Sequence, residues 1–439
     1  MTRRLYIETY GCQMNVADSE LMVGVLGRAG YVRVESPEEA DVLLVNTCAV
    51  RDNAEQRVVG RVGELQRHKR PGGVLGVVGC MAQRLGPKLL ERAPKVDLVV
   101  GPDAYRNLPA IIAQAGAGER VTDTEFRSWE HYEDVPGVRE PGPTAFVTVQ
   151  RGCDFKCTFC VVPYTRGPER SRRLEDVVRE VAGLAGTGTS EVTLLGQTVN
   201  SYRDGTHDFA DLLRAVGAVD GVRRIRFTSP YPTEFTERVI AAMAEVAAVC
   251  EHVHLPAQSG SNSGLRRMLR RYDRAGYLDV VRRLRTAIPT ITISTDLIVG
   301  FPGETEAEFD DTLSLVAAAG FDEAYTFAYS PREGTPAVRI KGAVSDDVAS
   351  DRLQRLIAAV RTQAARRNLA RLGEVHEVLV ERHARRGDLL LGRTRTNHMV
   401  LLDLPDSALG TYHTVRLTGT TGSTFTGESA RAARPLAVV

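Results

Sequence analysis

Three of the chain's seven cysteines fall inside eight residues, Cys153-Asp-Phe-Lys-Cys157-Thr-Phe-Cys160. Such crowding obliges one short loop to wrap around something, and a metal group is the usual cause. Three thiolates on one loop can each hold an iron of a 4Fe–4S cube, leaving the fourth iron without a protein ligand. An open iron can bind a small molecule and pass it an electron, so the pattern points to redox chemistry rather than a structural staple. A structural zinc site is the alternative, but it wants four nitrogen or sulfur ligands, usually as two pairs. No second pair is near, and His131 and His207 lie far off along the chain. A disulfide reading leaves one cysteine over. It also conflicts with a start, Met1-Thr2-Arg3-Arg4-Leu5-Tyr6-Ile7-Glu8, that lacks an apolar signal segment.

The spacing Cys-x-x-x-Cys-x-x-Cys, with Phe159 before the last cysteine, resembles the radical S-adenosylmethionine superfamily. The resemblance implies that the open iron chelates the amino and carboxylate groups of S-adenosylmethionine. It also implies that an electron from the cluster cleaves that molecule to methionine and a 5′-deoxyadenosyl radical. Phe159 would then lie against the adenine, unless it is an ordinary loop aromatic.

At 439 residues the chain has room for two to four domains of ~150 residues. A hydrophobic content of 43% is enough for real cores, and no apolar run is long enough for a membrane span. Free cysteines without a leader point to a reducing cytoplasm. The net charge of +1 says nothing about nucleic acid, so any basic surface has to be local.

Residues 1–120 alternate short apolar, β-branched runs (5–10, 42–46, 74–78) with helical stretches such as 19–28 and 52–67. Apolar strands each followed by a helix predict a parallel sheet covered on both faces. Cys12, Cys48 and Cys80 each follow one of these strands. The carboxyl ends of parallel strands share one edge, where ligands bind, so these three cysteines should converge and could hold a second cluster. Cys250 lacks that context and reads as a core thiol.

Residues 121–143, rich in Gly, Pro and acidic side chains, read as a link, with Trp129 packing it onto a neighbour. From 144 to 372 six strand-helix units predict a partial (β/α)6 barrel whose reactive loops gather at the carboxyl ends of its strands. The loops carrying Gln197, Gln258, Ser259, Asp296 and Ile298 lie there. S-adenosylmethionine, a zwitterion with a ribose diol, needs such polar groups in an otherwise apolar pocket; Ile298 would touch the adenine.

Residues 346–373 predict a helix with an apolar stripe at Leu353, Leu356, Ile357, Val360 and Ala364, ended by Gly373. Its other face and the following strands are basic: residues 352–395 hold 11 arginines against 4 acidic residues. From 373 to 439 the texture is pure strand and turn, which predicts a small OB-like β-barrel. Such charge usually marks a solvated face, but the tail resembles the TRAM module, an RNA-binding barrel, and that resemblance implies RNA contacts on the basic face. Arg361, Arg366, Arg367, Arg393, Arg395 and Asn397 are the candidate contacts.

The whole chain resembles the methylthiotransferase family, both cysteine sets included and in the right order. The TRAM module that the tail resembles is found on tRNA-modifying enzymes. Cys-Thr-Phe-Cys-Val-Val-Pro-Tyr-Thr-Arg-Gly (157–167), His-Leu-Pro-Ala-Gln-Ser-Gly-Ser (254–261) and Gly-Arg-Thr-Arg-Thr-Asn (392–397) resemble the branch acting on isopentenylated adenosine in tRNA. The same chemistry on threonylcarbamoyl-adenosine or a ribosomal protein, or a noncatalytic metal and RNA-binding role, are the alternatives. Thr198 and Asn262 depart from the family's usual Asn and Asp.

The resemblance implies two 4Fe–4S clusters and two molecules of S-adenosylmethionine per turnover. One methylates a sulfur at the auxiliary cluster on Cys12, Cys48 and Cys80. The other yields the radical at Cys153, Cys157 and Cys160 that activates carbon 2 of the adenine beside the anticodon. A monomer is expected, with tRNA as substrate, flavodoxin or ferredoxin as electron donor, an external source of sulfur and clusters, and no membrane association.

Overall fold

The computed structural model describes residues 3–49, 52–385 and 387–430, with the side chains of 52–56 left aside. Six parallel strands open the chain: β1 (Arg3–Tyr10), β2 (Tyr31–Arg33), β3 (Val42–Thr47), β4 (Val74–Gly79), β5 (Leu98–Val100) and β6 (Val121–Asp123). They lie in the order β2-β1-β3-β4-β5-β6. Alternate residues of one strand serve opposite faces. Val42 and Leu44 join the core beneath helix α1 (Gln13–Arg28), while Leu43 and Val45 join the core that holds Val58, Val62 and Met81. A sheet buried on both faces reads as a continuous apolar run, which is why these strands were legible.

Two expectations about this region are corrected. The sheet does not stop at residue 120, because β6 pairs with β5 inside the stretch expected as a link. Tyr132 and Val135 then fill the core over α1, so much of that stretch belongs to the first domain. Trp129 is not packed onto a neighbour; it is 67% exposed.

Six parallel strands form the partial barrel: Thr144–Thr148, Glu191–Leu195, Arg224–Phe227, His252–His254, Thr292–Val299 and Glu323–Ala328. The first three and last three make separate ladders, joined among the described residues by a bridge from Ile225 to Val249. The fifth strand is one continuous element of eight residues. A helix from Asp346 to Ala370 lays Leu356, with Leu353 and Val360 beside it, on the barrel's core. It ends at Ala370, short of Gly373, whose N–H donates to the Leu417 carbonyl of the small barrel rather than back to the helix.

Five strands, Val375–His383, Leu390–Thr394, Met399–Leu402, Tyr412–Thr420 and Thr424–Ser429, close into a small barrel around Val378, Val400, Leu417 and Phe425. This barrel docks on the amino-terminal ends of the larger barrel's strands. Fully buried Arg224 donates to the carbonyls of Arg393 (2.9 Å) and Glu377 (2.8 Å). Arg226 donates to the carbonyls of Thr394 and Arg395, and the Thr292 hydroxyl to that of Thr396. The small barrel therefore leaves the reactive end of the larger barrel uncovered. No helix among the described residues is long and apolar enough to cross a membrane.

Candidate functional site

Strand register brings Cys12, Cys48 and Cys80 together. Tyr10, Thr47 and Gly79 sit side by side across β1, β3 and β4, and neighbouring strands are ~4.8 Å apart. Cys48 and Cys80 come one residue past that row and Cys12 two. Gly11 lets the chain pass close to Cys48, since a Cβ on Gly11 would lie 2.9 Å from that of Cys48. Cys12 caps α1, where its backbone N–H donates to Asn15 Oδ1. A hydrogen bond with Cys48 pulls the Cys12 thiol down to about 6; burial opposes this and the Arg166 charge assists it. Burial pushes the Cys80 thiol up, against the same arginine, whose Nε–H donates to Cys80 Sγ at 3.0 Å.

Arg166 belongs to the second cysteine site. It ends the short helix Val162–Arg166, just after Cys160. Fully buried Asp18 on α1 pairs with Arg166 (2.6 Å) and with Arg151 (3.0 Å), so both flanks of the Cys153–Cys160 loop grip one carboxylate of the first domain. Ala49 and Cys80 also pack against Val161. The two cysteine sites thus face each other across a single seam.

Within the loop, burial pushes the thiols of Cys153 and Cys160 up, the latter to about 12. Cys153 Sγ lies 3.1 Å from the Thr198 hydroxyl, and Cys157 Sγ accepts from Arg270 Nη1 at 3.2 Å. Arg270 lies over the rings of Tyr231 and Tyr272 and has no carboxylate partner among the described residues. These donors suit thiolates that carry negative charge, as iron ligands do. Among the described residues, no three Cys, His, Asp or Glu groups converge closely enough to hold a single metal ion. A cube attaches each thiolate to a different iron, so its ligand sulfurs need not meet at a point.

The residues named for S-adenosylmethionine take different places. Phe159 and Ile298 share one apolar cluster with Met268, Phe301 and Tyr329. Gln258, held at positive φ, buries its Oε1 without a hydrogen-bond partner among the described residues, as a side chain awaiting a donor would. Asp296 lies 3.2 Å from His254 Nε2. Gln197 instead accepts from the Gly152 N–H (2.6 Å), which shapes the cysteine loop, and Ser259 accepts from the Ser261 N–H within its own turn. Arg166, Arg270, Asp18 and Thr198 went unnamed as site residues in the sequence reading. Arg166 and Thr198 stand in quoted segments, whereas nothing in the local sequence marks Arg270 or Asp18.

The RNA candidates divide as well. Arg361 and Arg366 are exposed on the long helix and make no ion pair among the described residues. Arg367 pairs with Asp322. Arg393 pairs with Glu381 and donates to Asn397 Oδ1. Arg395 pairs with Glu251 and donates to the carbonyls of Ala247 and Val249. The segment 393–397, expected to face RNA, is therefore the joint between the two barrels, because buried Arg224 and Arg226 need its carbonyls as acceptors. Arg352 likewise turns inward to Glu304.

Residues 4–101 match the uncharacterized protein family UPF0004, and residues 147–316 match the radical SAM superfamily. The chain is 45% identical over 437 residues to the tRNA-2-methylthio-N(6)-dimethylallyladenosine synthase of Alkalilimnicola ehrlichii, covering 98% of each. The chain belongs to that family. The relative from Caldicellulosiruptor saccharolyticus, of the same name, is 44% identical over 94% of this chain and 89% of its own. Among solved structures, the radical S-adenosylmethionine methyltransferase TsrM of Kitasatospora setae aligns with a TM-score of 0.59 at 15% identity. It covers 77% of this chain and 74% of that one, a likeness of fold.

Proposed function

We propose that this chain methylthiolates carbon 2 of N6-isopentenyladenosine in tRNA. The observation that carries the reading is the seam that sets Cys12, Cys48 and Cys80 against Cys153, Cys157 and Cys160, with Arg166 reaching from one loop to a thiol of the other. Each triad would hold a 4Fe–4S cluster, one supplying the electron that cleaves S-adenosylmethionine and the other a place for the sulfur to be transferred.

The chain's own part is to position and shield. Gln258 presents an unsatisfied carbonyl oxygen to an amino or hydroxyl group, and Phe159 and Ile298 supply an apolar surface for a purine. Arg270 and Thr198 hold the thiols of the loop in place, while the stacked Phe155 and Tyr231 rings (3.9 Å) cover its floor and exclude water. Exposed Arg361 and Arg366 are suited to phosphates. A flavodoxin or ferredoxin as reductant, a separate sulfur source and work in the cytoplasm belong to the same proposal. In a strain whose only copy carries Cys153→Ala, mass spectrometry of tRNA nucleosides should find isopentenyladenosine without its methylthio group. Persistence of the methylthiolated nucleoside would overturn the reading.

A further inference from the structure

Among the described residues, the last strand of the partial barrel, Glu323–Ala328, pairs on one side only. Alternation sends Ala324 outward to the packed core. Tyr325 and Phe327 point the other way, into the barrel, where Tyr325 meets the His254 ring edge-on at 5.8 Å. Both nevertheless remain open to solvent, at 46% and 43%. Large aromatics exposed inside a barrel mark a place for an occupant rather than a packed core.

The register says where that occupant would sit. Tyr325 lies opposite Asp296, and Phe327 opposite Ile298, on the neighbouring strand. Ile298 in turn shares its cluster with Phe159 and Tyr329. The aromatic wall therefore starts beside the purine pocket.

We infer that Tyr325 and Phe327 form the wall that receives the N6-isopentenyladenine of the substrate, Phe327 stacking on its apolar part; this rests on the function proposed above. An aromatic face gains by stacking on any base, and the prenyl group gains further by leaving water. The carboxylates at this wall, Asp296 and Glu323, the latter accepting from the Tyr325 hydroxyl, disfavour a substituent that carries its own carboxylate. The wall accordingly selects isopentenyl over threonylcarbamoyl adenine.

Fluorescence anisotropy with the reconstituted full-length protein tests this. The probes are anticodon hairpins of one sequence that carry isopentenyladenine, plain adenine or threonylcarbamoyl-adenine at the target position. The unsubstituted protein should prefer the isopentenyl hairpin over both others. Phe327→Ala, which removes the surface that covers the prenyl group, should weaken that hairpin about tenfold and leave plain adenine unchanged. Phe327→Leu, which keeps an apolar side chain, should retain part of the preference. Equal binding of the three hairpins by the unsubstituted protein, or a preference untouched by Phe327→Ala, overturns the inference alone. Failure to bind any hairpin overturns the proposed function as well.

Discussion

Asp18 is the residue on which the two halves of the site hang. It is fully buried, with Arg151 and Arg166 as its partners. The contact to Arg166 is close but off-axis, so neither terminal nitrogen of Arg166 has an aligned acceptor among the described residues. Its Nε–H is spent on Cys80. Removing one member of a buried ion group costs more than the pair contributes, because the others keep their desolvation penalty. Asp18→Ala should therefore lower stability to urea by about 3–5 kcal/mol. Arg214→Ala, which breaks an exposed pair with Glu245, should lose less than about 1 kcal/mol in the same measurement.

At the scale of elements, the cysteine loop owes its shape to Gly152. Its φ is +77°, and a Cβ there would run into the carbonyl oxygens of Pro168 and Gly167. Those neighbours are fixed, since the Cys153 N–H donates to Gly167 O at 3.1 Å. Gly152→Ala should cost about 1–3 kcal/mol from backbone strain. It should also halve, or worse, the iron retained by a protein whose other triad, Cys12, Cys48 and Cys80, is replaced by alanine. Gly183, inside the helix Leu174–Gly186 with open space around it, is the control. Its change to alanine should stabilise by up to about 1 kcal/mol and leave the iron unchanged.

For the whole molecule, the joint between the barrels gives a pH dependence. Burial holds His252 well below its ordinary range and His398 at about 4. Arg226, His254, His398 and Arg393 surround the first and add to the shift; around the second, Arg371 and His376 lower and Asp322 and Glu374 raise. Both imidazoles are neutral in the fold and titrate near 6.5 when unfolded. Below about 6.5 the unfolded chain binds more protons, so stability is full at neutral pH and falls as pH drops towards 4. Thermal unfolding from pH 7.5 to 5 should show this decline. His398→Asn should flatten it; an unchanged slope would remove His398 from the account.

Much of this protein was legible from local pattern. The apolar runs at 42–46 and 74–78 declared a sheet buried on both faces, and the crowding of Cys153, Cys157 and Cys160 declared one loop around a metal group. Strand-then-cysteine, repeated three times, placed Cys12, Cys48 and Cys80 on one edge, because parallel strands all end on the same side. What the pattern could not tell was who partners whom. Arg395 and Arg361 look alike in sequence, yet the first is consumed by Glu251 and the second stays exposed. Tyr132 and Trp129 share a loop, yet one is core and the other surface. Charge and aromaticity are local properties, whereas burial and pairing depend on segments far away in the chain. Only tertiary packing could join Asp18 to Arg151 and Arg166, and so set the two cysteine sites face to face.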